Sequence, residues 1–143
     1  MSHTYHKVWI HLIWTTKERF PYLNKEIKND VIFHIKEKGG NEGIHVDTIN
    51  GVAEYIHCLI ELDVKQNISN VANQLKGESS HWINQQKLTK SHFAWQEGYS
   101  AFSIGESQVT KVREYIRHQE EHHQKMSFQE EMNRFLKAYN LNS

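Results

Sequence analysis

The order of strand-like and helix-like patterns constrains this chain more than any other feature of its sequence. Residues 4–16, TYHKVWIHLIWTT, alternate at a period of two and are rich in β-branched and aromatic side chains, which predicts a β-strand. Asn24 is a good N-cap, and the apolar spacing behind it predicts a helix to about Lys38. Gly39 and Gly40 are expected to end that helix.

Two further strands and a second long helix follow. The residues IHVDTIN, 44–50, and GVAEYIHCLIEL, 51–62, predict strands joined by a hairpin turn at Asn50-Gly51, a dipeptide typical of such turns. Within residues 67–86 the apolar positions return at helical spacing, which predicts a helix of about 16–18 residues. YSAFSI, residues 99–104, predicts a short fourth strand.

The last third of the chain predicts two more helices. One runs from Ser107 to about His123, and the other begins at Ser127, where Ser-Phe-Gln-Glu forms a capping-box pattern. The order β-α-β-β-α-β followed by two helices predicts an α+β, ferredoxin-like fold, with an antiparallel sheet and two helices on one face. The other face is expected to stay open unless a further helix or a partner covers it.

Composition limits the class of protein. The 143 residues suit a single domain 1–143, with a core of about 4–125 and a C-terminal helix of about 127–140. The formal net charge is zero, which argues against coating duplex DNA by charge alone. The single cysteine, Cys58, and the lack of a leader or a long apolar run lead us to expect a cytoplasmic protein.

The strand 51–62 carries the first candidate functional residue. Alternation divides it into an apolar core face (Ile56, Cys58, Ile60, Leu62) and a second face (Tyr55, His57, Leu59, Glu61). His57 is thus held on a rigid strand, where a metal ligand would be well positioned. A polar residue without a catalytic task explains the same pattern, and a lone histidine does not distinguish the two interpretations.

The helix VREYIRHQEEHH carries the second group of candidates. Tyr115 and Gln119 lie four residues apart and therefore share one face, one turn from each other. A tyrosine hydroxyl beside a metal ion can act as a nucleophile, because the metal polarises the scissile phosphate. The alternative is that Tyr115 is a half-buried helix residue beside a solvated polar face.

These segments together resemble a known family. IHLIWTTKERF, GVAEYIHCLIEL, WQEGYSAFS and VREYIRHQEEHH are similar to motifs of the single-tyrosine HUH transposases of bacterial insertion sequences, which are TnpA-like and include the REP-associated tyrosine transposases. The resemblance runs from about residue 4 to 125. It puts Lys17 and Arg19 in the family's Thr-Lys-x-Arg position, where we expect them to contact DNA.

The resemblance implies a specific chemistry. Such enzymes are dimers with a ferredoxin-like fold that act on single-stranded DNA containing hairpins. A helix tyrosine, here Tyr115, attacks the phosphodiester and becomes linked to the 5′ phosphate. Mg²⁺ or Mn²⁺ is held by the two histidines of a His-hydrophobic-His strand and by a residue one turn after the tyrosine. His57 matches the second histidine and Gln119 the later residue, and the tyrosine helix can serve the other subunit.

The sequence departs from the family at Tyr55, which stands where the first motif histidine is expected. A phenol is a poor ligand for a hard divalent ion, because it would first have to lose a proton with a pKa near ~10. Three substitute ligands are open, Glu54, Glu61 and His11, the last reaching across the sheet. The site could equally be broken, which leaves a transposase-derived protein that binds DNA without cleaving it.

Other DNA-binding candidates come with simpler alternatives. Lys76 and Ser79, on the second long helix, could contact phosphates or belong to a solvated polar face. Trp95 could stack on unpaired bases or fix its loop to the core. Three functions are therefore open: a DNA strand transferase, a DNA-binding relative without cleavage, and a small-ligand or structural ferredoxin-like domain.

Overall fold

A computed structural model describes residues 3–141 and confirms the predicted order of elements. The strands and long helices alternate as β-α-β-β-α-β, and three shorter helices follow. Their bounds are β1 Val8–Thr15, α1 Lys25–Asn41, β2 His45–Val52, β3 Tyr55–Leu62, α2 Ile68–Gln85, β4 Ser100–Ile104, α3 Val109–Arg117, α4 Gln119–Lys125 and α5 Phe128–Ala138.

The four strands form one antiparallel sheet in the order β2-β3-β1-β4. This is the strand order of the ferredoxin-like fold, so the predicted fold class is correct. The two central strands face each other directly, with His57 of β3 opposite Ile13 of β1 and Leu59 opposite His11. Both candidate histidines therefore sit at the centre of the sheet, where the backbone is most constrained.

The first face of the sheet is covered by α1 and α2 and forms the main core. The inward side chains of β1 and β3 pack there against the apolar stripes of both helices. Cys58 is fully buried in this core, as its position in the alternation predicted. Burying each large aliphatic side chain stabilises the fold by about 1.5–3 kcal/mol, so this layer holds the sheet that displays the candidate site.

The second face is covered by further helices, which is the exception that the expectation from the sequence allowed. Tyr55, His57 and Leu59 are at most 1% exposed. Helix α3 covers Trp9 and Leu59 through Val109 and Ile116, and α5 covers Ile13 and Phe102 through Met132. The C-terminal helices therefore complete a three-layer structure and enclose the face that carries His57.

Two predicted boundaries were wrong. The β2–β3 turn lies at Ala53-Glu54, because Val52 pairs with Tyr55, and Asn50-Gly51 belongs to β2. Gly51 instead permits a close approach of the two strands, since a Cβ there would clash with the Tyr55 carbonyl oxygen. Helix α1 continues through Gly39 and Gly40, and the chain turns at Gly43 with φ at +82°.

The helix predicted from Ser107 to His123 is divided into α3 and α4 at His118, where φ and ψ are −103° and 29°. A bidentate ion pair between Arg113 and Asp47 of β2 holds α3 against the sheet edge. The Asn50 side chain donates to the Arg117 carbonyl at 3.0 Å. These contacts fix the helix that carries Tyr115.

The capping box that predicts α5 is present at Ser127 and Glu130. Among residues 3–141, the helices are all too short or too polar to span a membrane.

Candidate active site

Tyr115 of α3 lies over His57 of β3, with ring centroids 5.9 Å apart. Its hydroxyl donates a short hydrogen bond to the Glu131 carboxylate of α5. Tyr115 is only partly buried, and with His11 and Lys111 it lines a cleft of about 370 Å³. One candidate nucleophile therefore faces a histidine, a carboxylate and an opening to solvent.

His57 is fully buried and uses both ring nitrogens. Nδ1 lies 2.8 Å from Nε2 of His11, and Nε2 lies 3.1 Å from Oε1 of Glu131. An ionised carboxylate can only accept, so His57 carries the proton on Nε2 in that bond. Burial and the neighbouring His57 lower the pKa of His11 well below its usual value, which keeps His11 neutral.

Glu131 is 2% exposed, and the lowered pKa of its carboxyl keeps it ionised. Burial raises the pKa of its carboxyl, but the hydrogen bonds from His57 and Tyr115 lower that pKa by more, so the net shift is downward. The same surroundings act in the opposite direction on Tyr115. Burial, and then the hydrogen bond to Glu131, raise the pKa of the phenol, so it is protonated until a base receives its proton.

Gln119 of α4 is buried next to the tyrosine. Its side-chain amide donates to the Tyr115 carbonyl at 3.4 Å. Its Oε1 has no hydrogen-bond partner within residues 3–141. A buried amide oxygen without a partner is costly, and it is also a suitable ligand for a hard divalent cation.

Tyr55 lies beside His57, with ring centroids 5.5 Å apart, but its oxygen is engaged in another hydrogen bond. Its hydroxyl shares a hydrogen bond of 3.1 Å with Nδ1 of His123, whose Nε2 lies 2.9 Å from Glu54. Burial raises the pKa of Tyr55, and the charges of Glu131 and Glu54 raise it further. Tyr55 is therefore a neutral phenol, which is a poor ligand for a hard divalent ion.

The three substitute ligands that the sequence left open occupy different places. Glu54 bonds His123. Glu61 lies at the opposite end of β3, where it pairs with Lys7 and His45. Only His11 contacts His57, and it does so at Nδ1 rather than at the nitrogen facing Glu131.

Comparison with known proteins identifies the chain. A family model described as "Transposase IS200 like" matches residues 4–119. The chain belongs to that family. The chain is 25% identical over 125 residues to the transposase for insertion sequence element IS200 of Salmonella typhimurium, and the match covers 83% of this chain and 81% of that protein. It is 23% identical over 114 residues to the ISDra2 transposase TnpA of Deinococcus radiodurans, covering 76% and 81%.

Solved structures agree on the fold. A transposase crystal structure from Deinococcus radiodurans superposes with a TM-score of 0.67 at 21% identity, covering 83% of this chain and 95% of that one. A REP-associated tyrosine transposase bound to a REP hairpin superposes with a TM-score of 0.54 at 14% identity, covering 82% and 70%. The fold and the family therefore rest on independent comparisons.

Three residues that were expected to contact DNA have buried side chains. Lys76, Ser79 and Trp95 are at most 9% exposed. Lys76 donates to the carbonyls of Gln96 and Gly98 at 2.8 and 2.7 Å. Trp95 donates to the Ser79 hydroxyl at 2.9 Å, so it fixes its loop to the core as the alternative interpretation held.

Lys17 and Arg19 remain available for contact with a ligand. Both are exposed in the turn after β1. The Arg19 guanidinium lies 5.5 Å from the centre of the Phe128 ring of α5, and Phe128 in turn packs on Tyr55. The basic turn therefore borders the second face of the sheet near the candidate site.

Glu131 is the site residue that sequence reasoning missed. It follows Phe128 by three positions and precedes Phe135 by four, so it lies on the apolar face predicted for α5. A carboxylate on an apolar helix face is the signal that would have found it. In the described part of the chain no three histidine, cysteine, aspartate or glutamate residues are grouped to hold a metal.

Proposed function

We propose that this transposase cleaves and rejoins single-stranded DNA that contains hairpins, through a 5′-phosphotyrosine intermediate on Tyr115. One observation carries the proposal: the Tyr115 hydroxyl donates to a buried, ionised carboxylate that also holds His57. A nucleophile, an acceptor for its proton and candidate metal ligands thus meet in one site, which opens to solvent through the cleft beside Tyr115.

The chemical step follows from these contacts. The Tyr115 oxygen attacks phosphorus, the new Tyr–O–P bond forms, and the bond from phosphorus to the 3′ oxygen breaks. The phenol proton passes to Oε2 of Glu131, and the leaving 3′ oxygen takes a proton from solvent. Rejoining is the reverse reaction, with a different 3′ hydroxyl as the attacking group.

A divalent ion, Mg²⁺ or Mn²⁺, fits the donors present. His57 would hold it through Nε2, and Gln119 through Oε1, which has no hydrogen-bond partner within residues 3–141. Such an ion would polarise the scissile phosphate and stabilise its developing negative charge.

Each subunit brings its own tyrosine to its own histidine, since Tyr115 and His57 of one chain are in contact. We propose a homodimer in which each subunit holds a complete site in this conformation. Exchange of the tyrosine helix between subunits is then not needed to assemble the catalytic groups.

The proposed DNA contacts are Lys17 and Arg19. We expect Lys17→Glu and Arg19→Glu each to weaken binding of a hairpin-bearing single strand, and each to reduce the slope of log affinity against log salt by roughly 0.7–1. Fluorescence anisotropy at several salt concentrations measures both quantities. Lys65→Glu is the matched control, because it makes the same charge change in an exposed loop at the far end of β3. An equal loss in the control would show that only overall charge matters.

The direct test uses hairpin-bearing single strands from the ends of the mobile element, labelled on either side of the scissile phosphate. We expect a covalent adduct in the presence of Mn²⁺ that carries only the fragment with the 5′ phosphate, together with a released 3′ hydroxyl fragment. Denaturing electrophoresis detects both. If no element-end substrate gives an adduct, cleavage is excluded.

A second function is favoured by one specific observation, the neutral, hydrogen-bonded phenol of Tyr55 in the ligand position. It is a DNA-binding protein derived from a transposase that has lost cleavage. If this is the function, the affinity for hairpin DNA should not change when a chelator is added or when Tyr115 is replaced by phenylalanine. An adduct of the expected polarity excludes it.

A further inference from the structure

We infer that Glu131 is the third protein ligand of the divalent metal site, in place of the histidine that is absent at position 55. The inference rests on the proposed function, because that function supplies the metal. Glu131 lies on α5, beyond residue 119, where the match to the family model ends. The role is therefore assigned by this structure alone.

The position of Glu131 is unusual for a glutamate. It is 2% exposed on a helix face that otherwise packs through aromatic and methionine side chains. A buried carboxylate is strongly unfavourable unless charged or hydrogen-bonding groups compensate it. Within residues 3–141 its carboxylate is hydrogen-bonded to His57 and Tyr115, and both belong to the candidate site.

The spacing of the donor atoms fits a shared ion. Oε1 of Glu131 lies 3.1 Å from Nε2 of His57. Two adjacent ligands that are each about 2.1 Å from an octahedral ion lie about 3.0 Å apart, which is the length of an octahedral edge. A bound ion would take the place of the proton that the two groups share.

The remaining donors agree in chemistry and in charge. Gln119 contributes a buried amide oxygen with no partner within residues 3–141. One imidazole, one amide oxygen and one carboxylate form a donor set suited to Mg²⁺ or Mn²⁺. The second carboxylate oxygen accepts from Tyr115, so the ligand would also position the nucleophile.

Tyr55 has a structural role in this arrangement. Its ring packs on Phe128 of α5 at 4.7 Å, and its hydroxyl bonds His123 of α4. The side chain that replaces the motif histidine therefore supports the helix that brings in Glu131. Tyr55, which stands in place of one ligand, thus helps to position Glu131 as the other.

The test is Mn²⁺ binding by the DNA-free protein, measured by electron paramagnetic resonance as the loss of the free-ion signal. We expect Glu131→Gln, which preserves shape and removes the charge, to weaken binding at least about 10-fold. Glu131→Asp keeps the charge but shortens the side chain by one methylene, so it should weaken binding less than Glu131→Gln does. The matched control is Glu130→Gln, an exposed neighbour whose capping role glutamine can retain. Thermal melting of every variant confirms that it is folded.

The outcomes separate this inference from the proposed function. Selective weakening in the Glu131 variants supports the inference. Equal affinity in wild type and Glu131→Gln overturns it, and so does the absence of Mn²⁺ binding to the wild type at millimolar concentration. Cleavage is measured on the same samples, and a wild type that binds Mn²⁺ through Glu131 but forms no DNA adduct contradicts only the proposed function.

Discussion

Tyr115→Phe is expected to abolish the covalent protein–DNA adduct and to lower the cleavage rate by roughly 10³-fold or more, as removal of a catalytic nucleophile does. Phenylalanine keeps the ring contacts with His57 and Phe135, so the fold should be retained. Only the hydrogen bond to Glu131 is lost. Denaturing electrophoresis with labelled DNA measures the adduct, and anisotropy should show hairpin binding within about 2-fold of wild type.

The control for this substitution is Tyr139→Phe. Tyr139 also lies on the second face of the sheet and donates its hydroxyl to the Ser103 carbonyl at 2.7 Å, but it has no place in the proposed chemistry. It should form the adduct at the wild-type rate. An adduct that persists in Tyr115→Phe would mean that another residue attacks the phosphate, and the assignment of Tyr115 would be wrong.

Tyr55→His is expected to raise Mn²⁺ affinity and cleavage at least about 10-fold, because it restores an imidazole two residues from His57 on the same strand face. The substitution should also rescue Mn²⁺ binding when it is combined with Glu131→Gln. It removes a ring that is 1% exposed and packs on Phe128, so the free energy of unfolding should fall by about 1–3 kcal/mol. Manganese titration and thermal melting separate the gain in binding from the loss in stability.

Tyr55→Phe is the matched control, since it keeps the ring and removes only the hydroxyl that bonds His123. Neither affinity nor cleavage should rise in this variant. If Tyr55→His binds Mn²⁺ no better than Tyr55→Phe, position 55 does not face the metal site, and the relation between Tyr55 and the family's first histidine would have to be abandoned.

Hydrophobic periodicity was sufficient to predict the strands, the two long helices and the ferredoxin-like order. It did not predict the covered second face, because a capping box at Ser127 indicates that a helix begins but not which surface that helix packs on. The Asn50-Gly51 signal also failed. The pairing of Val52 with Tyr55 moves the turn to Ala53-Glu54, and glycine is retained at position 51 for close backbone approach instead.

The candidate site was predicted in part. Tyr115, His57 and Gln119 were named from motif resemblance, and the structure brings Tyr115 into contact with both of the others. Glu131 could not be placed from the sequence, since its contact with His57 joins residues 74 positions apart through the docking of α5. The burial of Lys76, Ser79 and Trp95 could not be predicted, because polar side chains on a helix and an aromatic side chain in a loop give the same sequence pattern whether they face solvent or the core.

We propose that Tyr115, His57, Gln119 and Glu131 of one chain form a metal-dependent cleavage site. The most direct measurement is anomalous diffraction from crystals soaked in Mn²⁺. We expect one peak bonded to Nε2 of His57, Oε1 of Gln119 and Oε1 of Glu131, at about 2.0–2.3 Å from each. A crystal in which His57 and Glu131 keep their direct hydrogen bond under saturating Mn²⁺, or in which the ion binds elsewhere, would contradict it.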